Sequence, residues 1–367
     1  MKITLIGQPS VVMSNPNSRH NFFAWPTIER LKNGRIAVSA SGFRVAHICP
    51  FGKAVIAYSE NEGESYTAPA PIIDTPLDDR DAGLLAFGKS GLMITSFNNT
   101  VSFQRSCTKA PAIYNTFNDP YVSAYLDGIT AENEEKYIGS TFRISYDNGI
   151  TFGELMKSPI TSPHGPCELK NGKILWVGRS FSPNEAITEH EGIFAYYVSE
   201  NGSMEQIGAI ENIPAEGAPL LSCEPHAIEL DDGKIICHIR VQKNAEKRVF
   251  TLYQSESEDG GRTWTKPHKI LSDLGGAPSH LMKHSQGVLI AVYGYREEPY
   301  GIKAMFSYDG GKSWDTDNVI YTNGVSSDLG YPASVELSDG SILTVFYARP
   351  GNDAPAIIMQ QKWRFEK

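Results

Sequence analysis

Arginines recur at one position of a repeated pattern in this chain of 367 residues. The pattern is an apolar stretch, a turn glycine and a second apolar stretch that an arginine follows. These arginines are Arg44, Arg179, Arg240, Arg296 and Arg349. Guanidinium groups bind carboxylate, sulfate and phosphate through paired hydrogen bonds. The shared register therefore predicts an electropositive cup for an anionic ligand, although the net charge of the chain is −9.

Polar residues also precede the first apolar stretch of the pattern. They are Asp79, Arg80, Asp81, His164, Glu224, His226, His280, Asp328 and Tyr331. Such side chains support acid–base, nucleophilic and ligand-binding chemistry. The three histidines open consecutive copies, so their imidazoles are expected to converge, and neutral imidazole is a common metal ligand.

The pattern occurs six times, with turn glycines at Gly34, Gly91, Gly172, Gly233, Gly287 and Gly340. Each copy reads as a β-hairpin, because Asn-Gly and Asp-Gly turns supply positive φ at little steric cost. The interval after Gly91 is longer, and an insertion at about residues 99–138 accounts for it. With no long helical periodicity, the sequence predicts an all-β chain of six sheets.

A second motif, Ser-x-Asp/Asn-x-Gly-x-x-aromatic, occurs at residues 59–66, 145–152, 257–264 and 307–314. It resembles the Asp-box (BNR repeat) of the sialidase, or neuraminidase, superfamily. The resemblance implies one six-bladed β-propeller domain over residues 1–367, with the Asp-boxes as structural turns on its outer rim and the 99–138 insertion in the second blade. Residues 3–6 and 356–365 are then expected to share one sheet and close the ring.

The resemblance also implies catalytic roles. As in that family, Glu224 and Tyr331 each lie nine residues before a turn glycine, and Arg240 follows Glu224 by sixteen. Tyr331 would be the nucleophile, Glu224 its base and Arg240 a ligand for the substrate carboxylate. A neutral tyrosine suits such a sugar because a carboxylate nucleophile would be repelled. The implied activity is retaining, exo-acting hydrolysis of a terminal acidic sugar, without metal or cofactor.

Two departures from the family are visible. The first hairpin opens with Ala-Trp25-Pro where the family has Arg-Ile-Pro, and residues 44–50 lack the aspartate that serves as acid/base. Arg296 is the candidate third arginine. Asp79, Asp81 and His47 are candidate acids, of which we assign Asp81 as catalytic. The remaining substrate-binding candidates are Arg44, Asp79, Arg80, His164, His226, His280 and Arg349.

Two other functions stay open at this point. The histidines resemble the sites of propeller polysaccharide lyases, in which a metal or arginine neutralises a uronate carboxylate. Alternatively, the missing aspartate suits a non-catalytic propeller that binds an acidic glycan. Chelator sensitivity and an unsaturated product would identify the lyase, and absence of turnover the binding protein.

Composition excludes several classes. The chain has 33 basic and 42 acidic residues, so it has no excess of positive charge with which to bind a polyanion. No nucleic-acid partner is therefore expected. No apolar run reaches the length of a membrane span, and the opening residues lack a signal-peptide pattern, so we expect a cytoplasmic protein. The five cysteines form no CxxC pair and are expected to be reduced.

Overall fold

Six antiparallel sheets surround a common axis in the computed structural model, which describes residues 2–106, 120–181, 192–213, 220–243, 249–272, 276 and 278–366. The predicted six-bladed β-propeller is confirmed. Each turn glycine joins the innermost strand of a blade to the next strand. The cup must therefore lie at the opposite ends of the inner strands, where these strands begin.

The blades follow the chain order. Blade 1 contains β2 (Phe22–Arg30), β3 (Ile36–Arg44), β4 (Lys53–Ser59) and β5 (Ala70–Ile73); blade 2 contains β6 (Leu84–Phe87), β7 (Gly91–Phe97), β8 (Ser140–Ser145) and β9 (Met156–Ser158). Blade 3 contains β10 (Ile160–Thr161), β11 (Cys167–Glu168), β12 (Ile174–Ser180), β13 (Ile193–Val198) and β14 (Met204–Ile210).

The second half of the ring has the same order. Blade 4 contains β15 (Leu220–Glu229), β16 (Ile235–Lys243), β17 (Val249–Ser257) and β18 (His268–Lys269); blade 5 contains β19 (Ser279–Lys283), β20 (Leu289–Tyr295), β21 (Gly301–Ser307) and β22 (Asp315–Tyr321). Blade 6 contains β23 (Gly330–Glu336), β24 (Ile342–Ala348), β25 (Ile357–Glu366) and, as its outer strand, β1 (Lys2–Met13).

Apolar side chains fill the spaces between the blades. Ile56 of blade 1 packs in one cluster with Ile94 of blade 2, and every residue of β24 is buried. A strand that is buried on both faces has a continuous run of apolar residues in its sequence. These runs were the signal from which the hairpins were predicted.

The segment predicted as an insertion lies between β7 and β8 and contains α1 (Val101–Ser106), α2 (Pro120–Asp127) and α3 (Ala131–Tyr137). Its residues 107–119 lie outside the described part of the chain. Among the described residues, no helix has the length and apolar character needed to cross a membrane. Cys49, Cys167, Cys223 and Cys237 are free thiols, as expected, and Cys107 lies in the range not described.

The Asp-box turns join the third and fourth strands of blades 1, 2, 4 and 5, at the outer rim. In the second of them, Asp147 Oδ1 accepts the Ser145 hydroxyl at 2.7 Å and the Thr151 N–H at 2.9 Å. The Thr151 hydroxyl, which donates to Asp147 Oδ2 at 2.6 Å, and these two hydrogen bonds hold the pKa of Asp147 below its usual range. Such aspartates shape the turn and lie away from the axis.

The ring is closed by its two ends, as predicted. Ile3 pairs with Phe365 and Leu5 with Trp363 in antiparallel register. Blade 6 therefore combines the first strand of the chain with the last three. Phe23 at the start of blade 1 donates its N–H to Ala356 O of blade 6 at 2.8 Å, which joins these neighbouring blades.

Removing residues 1–8 should destabilise the protein, because β25 would lose most of its pairing partner. We expect a loss of about 2 kcal/mol or more in the free energy of unfolding, measured as a lower Tm and an earlier denaturant midpoint. An unchanged Tm would contradict a closing role for β1.

Candidate active site

Four residues at the starts of inner strands have left-handed backbone conformations. The φ angles are 56° at Trp25, 46° at Asp81, 51° at Glu224 and 48° at Tyr331. Trp25, Glu224 and Tyr331 each precede a proline, and the strand register shifts at each of these three points. Non-glycine residues in this region cost about 1–3 kcal/mol each and cluster at functional sites. The shared bulge thus marks one ring of side chains at the mouth of the channel.

Two members of this ring form the short contact that the spacing predicted. The Tyr331 hydroxyl donates to Glu224 Oε1 at 2.6 Å. Arg240 Nη1 donates to the second oxygen of Glu224 and lies 3.0 Å from Tyr331 Oη, while its Nη2 donates to Gln242 Oε1 at 2.8 Å. Burial and the nearby Glu224 carboxylate hold the pKa of Tyr331 well above 10. The phenol therefore stays protonated until a base removes its proton.

Asp81 lies close enough to Glu224 and Arg240 for their charges to act on its carboxyl group. Burial raises the pKa of its carboxyl to about 7 against the opposing effect of Arg80, and the negative charge of Glu224 adds to the rise. A carboxyl group with this pKa carries its proton for about half the time at neutral pH. Two carboxyl groups with different protonation states are the usual arrangement for general acid and base.

Three arginines from neighbouring blades surround the Tyr331–Glu224 pair. Arg179 of blade 3 interacts electrostatically with both Glu224 and Arg240, and its pKa is lowered, chiefly by burial. Arg296 lies over the Phe250 ring at 5.3 Å and over the Tyr331 ring at 5.7 Å. Two carboxylates interact with this cluster, Glu224 with Arg179 and Arg240 and Asp328 with Arg296, so the three guanidinium groups still exceed them by one charge. The excess of positive charge suits an anionic group.

Two of the predicted arginines instead hold the protein together. Arg44 is fully buried and pairs through both terminal nitrogens with Asp78, while it also donates to the carbonyl of His47 at 2.8 Å. Arg349 donates to the carbonyl of Ala354, within the loop that follows its own strand, at 2.8 Å. Both guanidinium groups are thus bonded to other protein groups, although the charge of Arg44 still acts on Asp81.

The neighbouring Asp79 and Arg80 also differ from each other. Asp79 is fully buried and accepts the Thr75 N–H at 2.7 Å and the Asn98 amide at 3.2 Å, so its carboxyl supports the loop. The guanidinium of Arg80 lies 4.2 Å from the Trp25 ring. Trp25 occupies the position of the missing family arginine, and it is only 1% exposed.

The three histidines converge on the axis below Tyr331, as expected. The His226 and His280 rings stack with centroids 4.5 Å apart, and the His164 ring meets them edge-on at 5.7 and 5.3 Å. His226 Nδ1 accepts the Leu281 N–H at 3.0 Å and His280 Nδ1 accepts the Ser334 N–H at 3.4 Å. Both rings therefore carry their hydrogen on Nε2.

These tautomers argue against the metal site considered above. A metal needs a lone pair, whereas Nε2 of His226 and of His280 is protonated. In the described part of the chain, no group of three or more His, Cys, Asp or Glu side chains has the arrangement of a metal site. The histidines form a neutral layer instead, because burial lowers the pKa of all three, that of His226 to about 3.

Asp78, Gln104 and Tyr347 lie at the mouth but were not singled out from the sequence. Asp78 binds Arg44 and also accepts the Gln104 amide of α1 at 3.0 Å, so it ties the insertion to the site. His47 Nδ1 donates to Asp328 at 3.1 Å, and the Tyr347 hydroxyl donates to the same oxygen at 3.0 Å. The acidic run around Asp79 was a usable signal for Asp78, whereas Tyr347 looks like any core aromatic.

The chain thus folds as a six-bladed β-propeller with a tyrosine–glutamate pair and clustered arginines at its axis. Residues 101–344 match the family described as BNR repeat-like domain, so the chain belongs to that family. No curated protein shows a significant match.

Solved structures with the same fold have low sequence identity to the chain. A Dyadobacter fermentans protein of unknown function is 19% identical with a TM-score of 0.75, covering 99% of each chain. The NanB sialidase of Streptococcus pneumoniae is 13% identical with a TM-score of 0.61 over 96% of this chain and 70% of its own. The intramolecular trans-sialidase of Ruminococcus gnavus is 12% identical with a TM-score of 0.63 over 97% of each. These identities show a shared fold.

The buried histidines should make stability depend on pH in a defined direction. Below about pH 6.5 the unfolded chain protonates His226 and the folded protein does not, so this residue lowers stability as the pH falls toward 3, by about 1.4 kcal/mol per unit. Asp79 and Asp81, whose pKa values are raised to about 7, act oppositely because the folded state binds their protons first.

Comparing the stability of a His226 variant with that of the wild type separates the contribution of His226 from those of Asp79 and Asp81. In His226→Gln, an amide oxygen can still accept the Leu281 N–H, but the unfolded chain has one fewer proton site. Chemical denaturation between pH 7 and 4 should show the variant gaining stability relative to the wild type as the pH falls. A constant difference across this range would contradict a neutral, buried His226.

Proposed function

We propose that this protein is a retaining, exo-acting glycoside hydrolase that releases a terminal acidic sugar. The observation that carries the proposal is the 2.6 Å hydrogen bond from Tyr331 to Glu224 within the cluster of Arg179, Arg240 and Arg296. A phenol becomes a competent nucleophile only beside a base, and an anionic sugar needs cations nearby. Both requirements meet at one end of the channel.

In the first step, Tyr331 Oη forms a bond to the anomeric carbon as Glu224 takes the phenolic proton. The bond to the leaving-group oxygen breaks, and protonated Asp81 gives its proton to that oxygen. Arg240 Nη1, 3.0 Å from Tyr331 Oη, stabilises negative charge that develops on the phenol oxygen. The sugar is then joined covalently to Tyr331.

In the second step, the Asp81 carboxylate takes a proton from water, and the water oxygen bonds to the anomeric carbon as the bond to Tyr331 breaks. Glu224 returns the proton to Tyr331. Two displacements retain the configuration of the anomeric carbon. Arg179, Arg240 and Arg296 bind the sugar carboxylate throughout, which places the acidic group beside blades 3, 4 and 5.

Replacing Tyr331 by Phe removes one oxygen atom and should lower kcat/KM by about a thousandfold or more. The assay is release of a fluorescent leaving group from a panel of α-sialosides and α- and β-uronides, with and without EDTA. Tyr58→Phe is the matched control, because it also removes a bonded hydroxyl, that of Tyr58 to Gly149 O, at the rim. The control should keep full activity, and EDTA should have no effect.

Other outcomes would reject parts of the proposal. Turnover that survives in Tyr331→Phe would remove Tyr331 as nucleophile. Chelator-sensitive formation of an unsaturated product would identify a uronate lyase. Binding of acidic glycans with no turnover of any substrate would identify a glycan-binding propeller.

Asp81→Asn tests the proton donor separately. Its activity should fall most for natural-type glycosides, whose leaving groups need a proton, and least for aryl glycosides with acidic leaving groups. The wild-type rate should also decline as the pH rises through about 7, where Asp81 loses its proton, and this decline should be absent in the variant. An equal loss on both substrate types would show that another group is the acid.

A further inference from the structure

A second cavity lies on the axis at the other end of the channel, where the inner strands approach their turn glycines. It has a volume of about 350 Å³ and is lined by the inner strands of all six blades. This size falls at the lower end of the range of small-molecule sites. The histidine layer separates it from the cup, since the His164 ring lies 5.7 Å from His226 and 6.4 Å from Tyr331.

Two histidines form the floor of this cavity. His226 and His280 both line it, and each residue is only 6% exposed. Their Nδ1 atoms accept backbone N–H groups, so each Nε2 carries a hydrogen. Among the described residues, neither Nε2–H has an acceptor. Neither Nε2 is among the fully buried unpaired atoms of the described residues, so each remains accessible and can donate to a ligand oxygen.

The charged groups of the cavity wall are already used by the protein. Glu168 accepts the Gly88 N–H at 2.9 Å, Glu336 accepts the Ser285 N–H at 2.7 Å, and Lys283 pairs with Asp231 at 2.5 Å. All of these contacts join neighbouring blades. The carboxylates of the wall would therefore repel an anionic ligand. The positive charge of Lys283 is already paired, so it would not attract one.

The third acidic side chain of the wall is held neutral. Burial raises the pKa of Glu29 to about 8, although an N–H of Ala86 partly opposes the rise. Leu85 and Val335 supply apolar surface on the same wall. The chemistry is that of a site for an uncharged molecule with several oxygen atoms and some apolar surface.

We propose that this cavity is a second binding site, separate from the cup, for a small neutral polyhydroxylated molecule such as one sugar ring. Its oxygens accept hydrogen bonds from Nε2 of His226 and His280, and its C–H face packs on Leu85 and Val335. The site needs no turnover at Tyr331, so it stands independently of the hydrolase proposal.

The test is a titration of the full-length protein labelled with 15N-histidine, followed by long-range 1H–15N NMR, which reports each ring nitrogen. Galactose is the probe, with acetate as the anionic comparison. We expect a saturable shift of the Nε2 signals of His226 and His280 with galactose, none with acetate, and no change at His20 or His47. The Tyr331→Phe protein should respond equally. Absence of a saturable shift, or a response to acetate alone, would overturn the proposal.

A variant that fills the cavity tests whether the galactose-induced shift arises there. Ala86 is half-buried on the cavity wall, so Ala86→Phe should fill the space and abolish the galactose shift. Ala131→Phe, on the exposed start of α3, is the matched control and should leave the shift intact. If Ala86→Phe folds and still responds, the sugar binds elsewhere and the proposal fails. If it does not fold, the wild-type titration decides.

Discussion

Polar side chains brought to a buried axis must satisfy one another, and this constraint organises the centre of the propeller. Six inner strands meet there, and each begins with polar or aromatic residues. Arg44 pairs with Asp78, Arg240 with Glu224, and His47 with Asp328. Charges removed from water need such partners. A pair that also reaches the channel mouth, as Arg240 and Glu224 do, remains available for chemistry.

The sequence was sufficient for the architecture because its signals are local and repeated. A turn glycine needs positive φ wherever it occurs, and an Asp-box bonds within its own few residues, so each copy predicts the same turn. The predicted contact of Tyr331 with Glu224 is also present in the structure. Each residue lies nine positions before the turn glycine of its hairpin, and equal spacing on equivalent strands gives equal height along the axis.

The fate of the arginines was not predictable in this way. Arg44, Arg240 and Arg349 share one register, but a long side chain has many rotamers, and its direction depends on residues distant in sequence. Arg44 donates to Asp78, and Arg349 donates to the loop carbonyl of Ala354. Likewise, the neutral tautomers of His226 and His280 follow from backbone N–H groups of adjacent blades, which no local pattern reveals.

Trp25 changes how an anion would be held. In the position of the family arginine it offers a buried ring, on which Arg80 lies at 4.2 Å and Arg44 at 4.9 Å. The remaining cations near Tyr331 come from blades 3, 4 and 5. In the proposed hydrolase, the acidic group of the sugar would therefore lie to one side of the axis, toward blades 3, 4 and 5.

The pairing of β1 with β25 has a consequence for how the molecule is made. Blade 6, which carries Tyr331, combines residues 2–13 with the strands of residues 330–366, whereas blades 1 to 5 each consist of consecutive strands. Blades 1 to 5 can therefore form from local contacts, but blade 6 requires closure of a loop that includes nearly the whole ring, which carries an entropic cost. The placement of Tyr331 beside Glu224 thus depends on the most long-range pairing of the fold, and weakening the contact of β1 with β25 would loosen Tyr331 while the strands of the other blades stay paired.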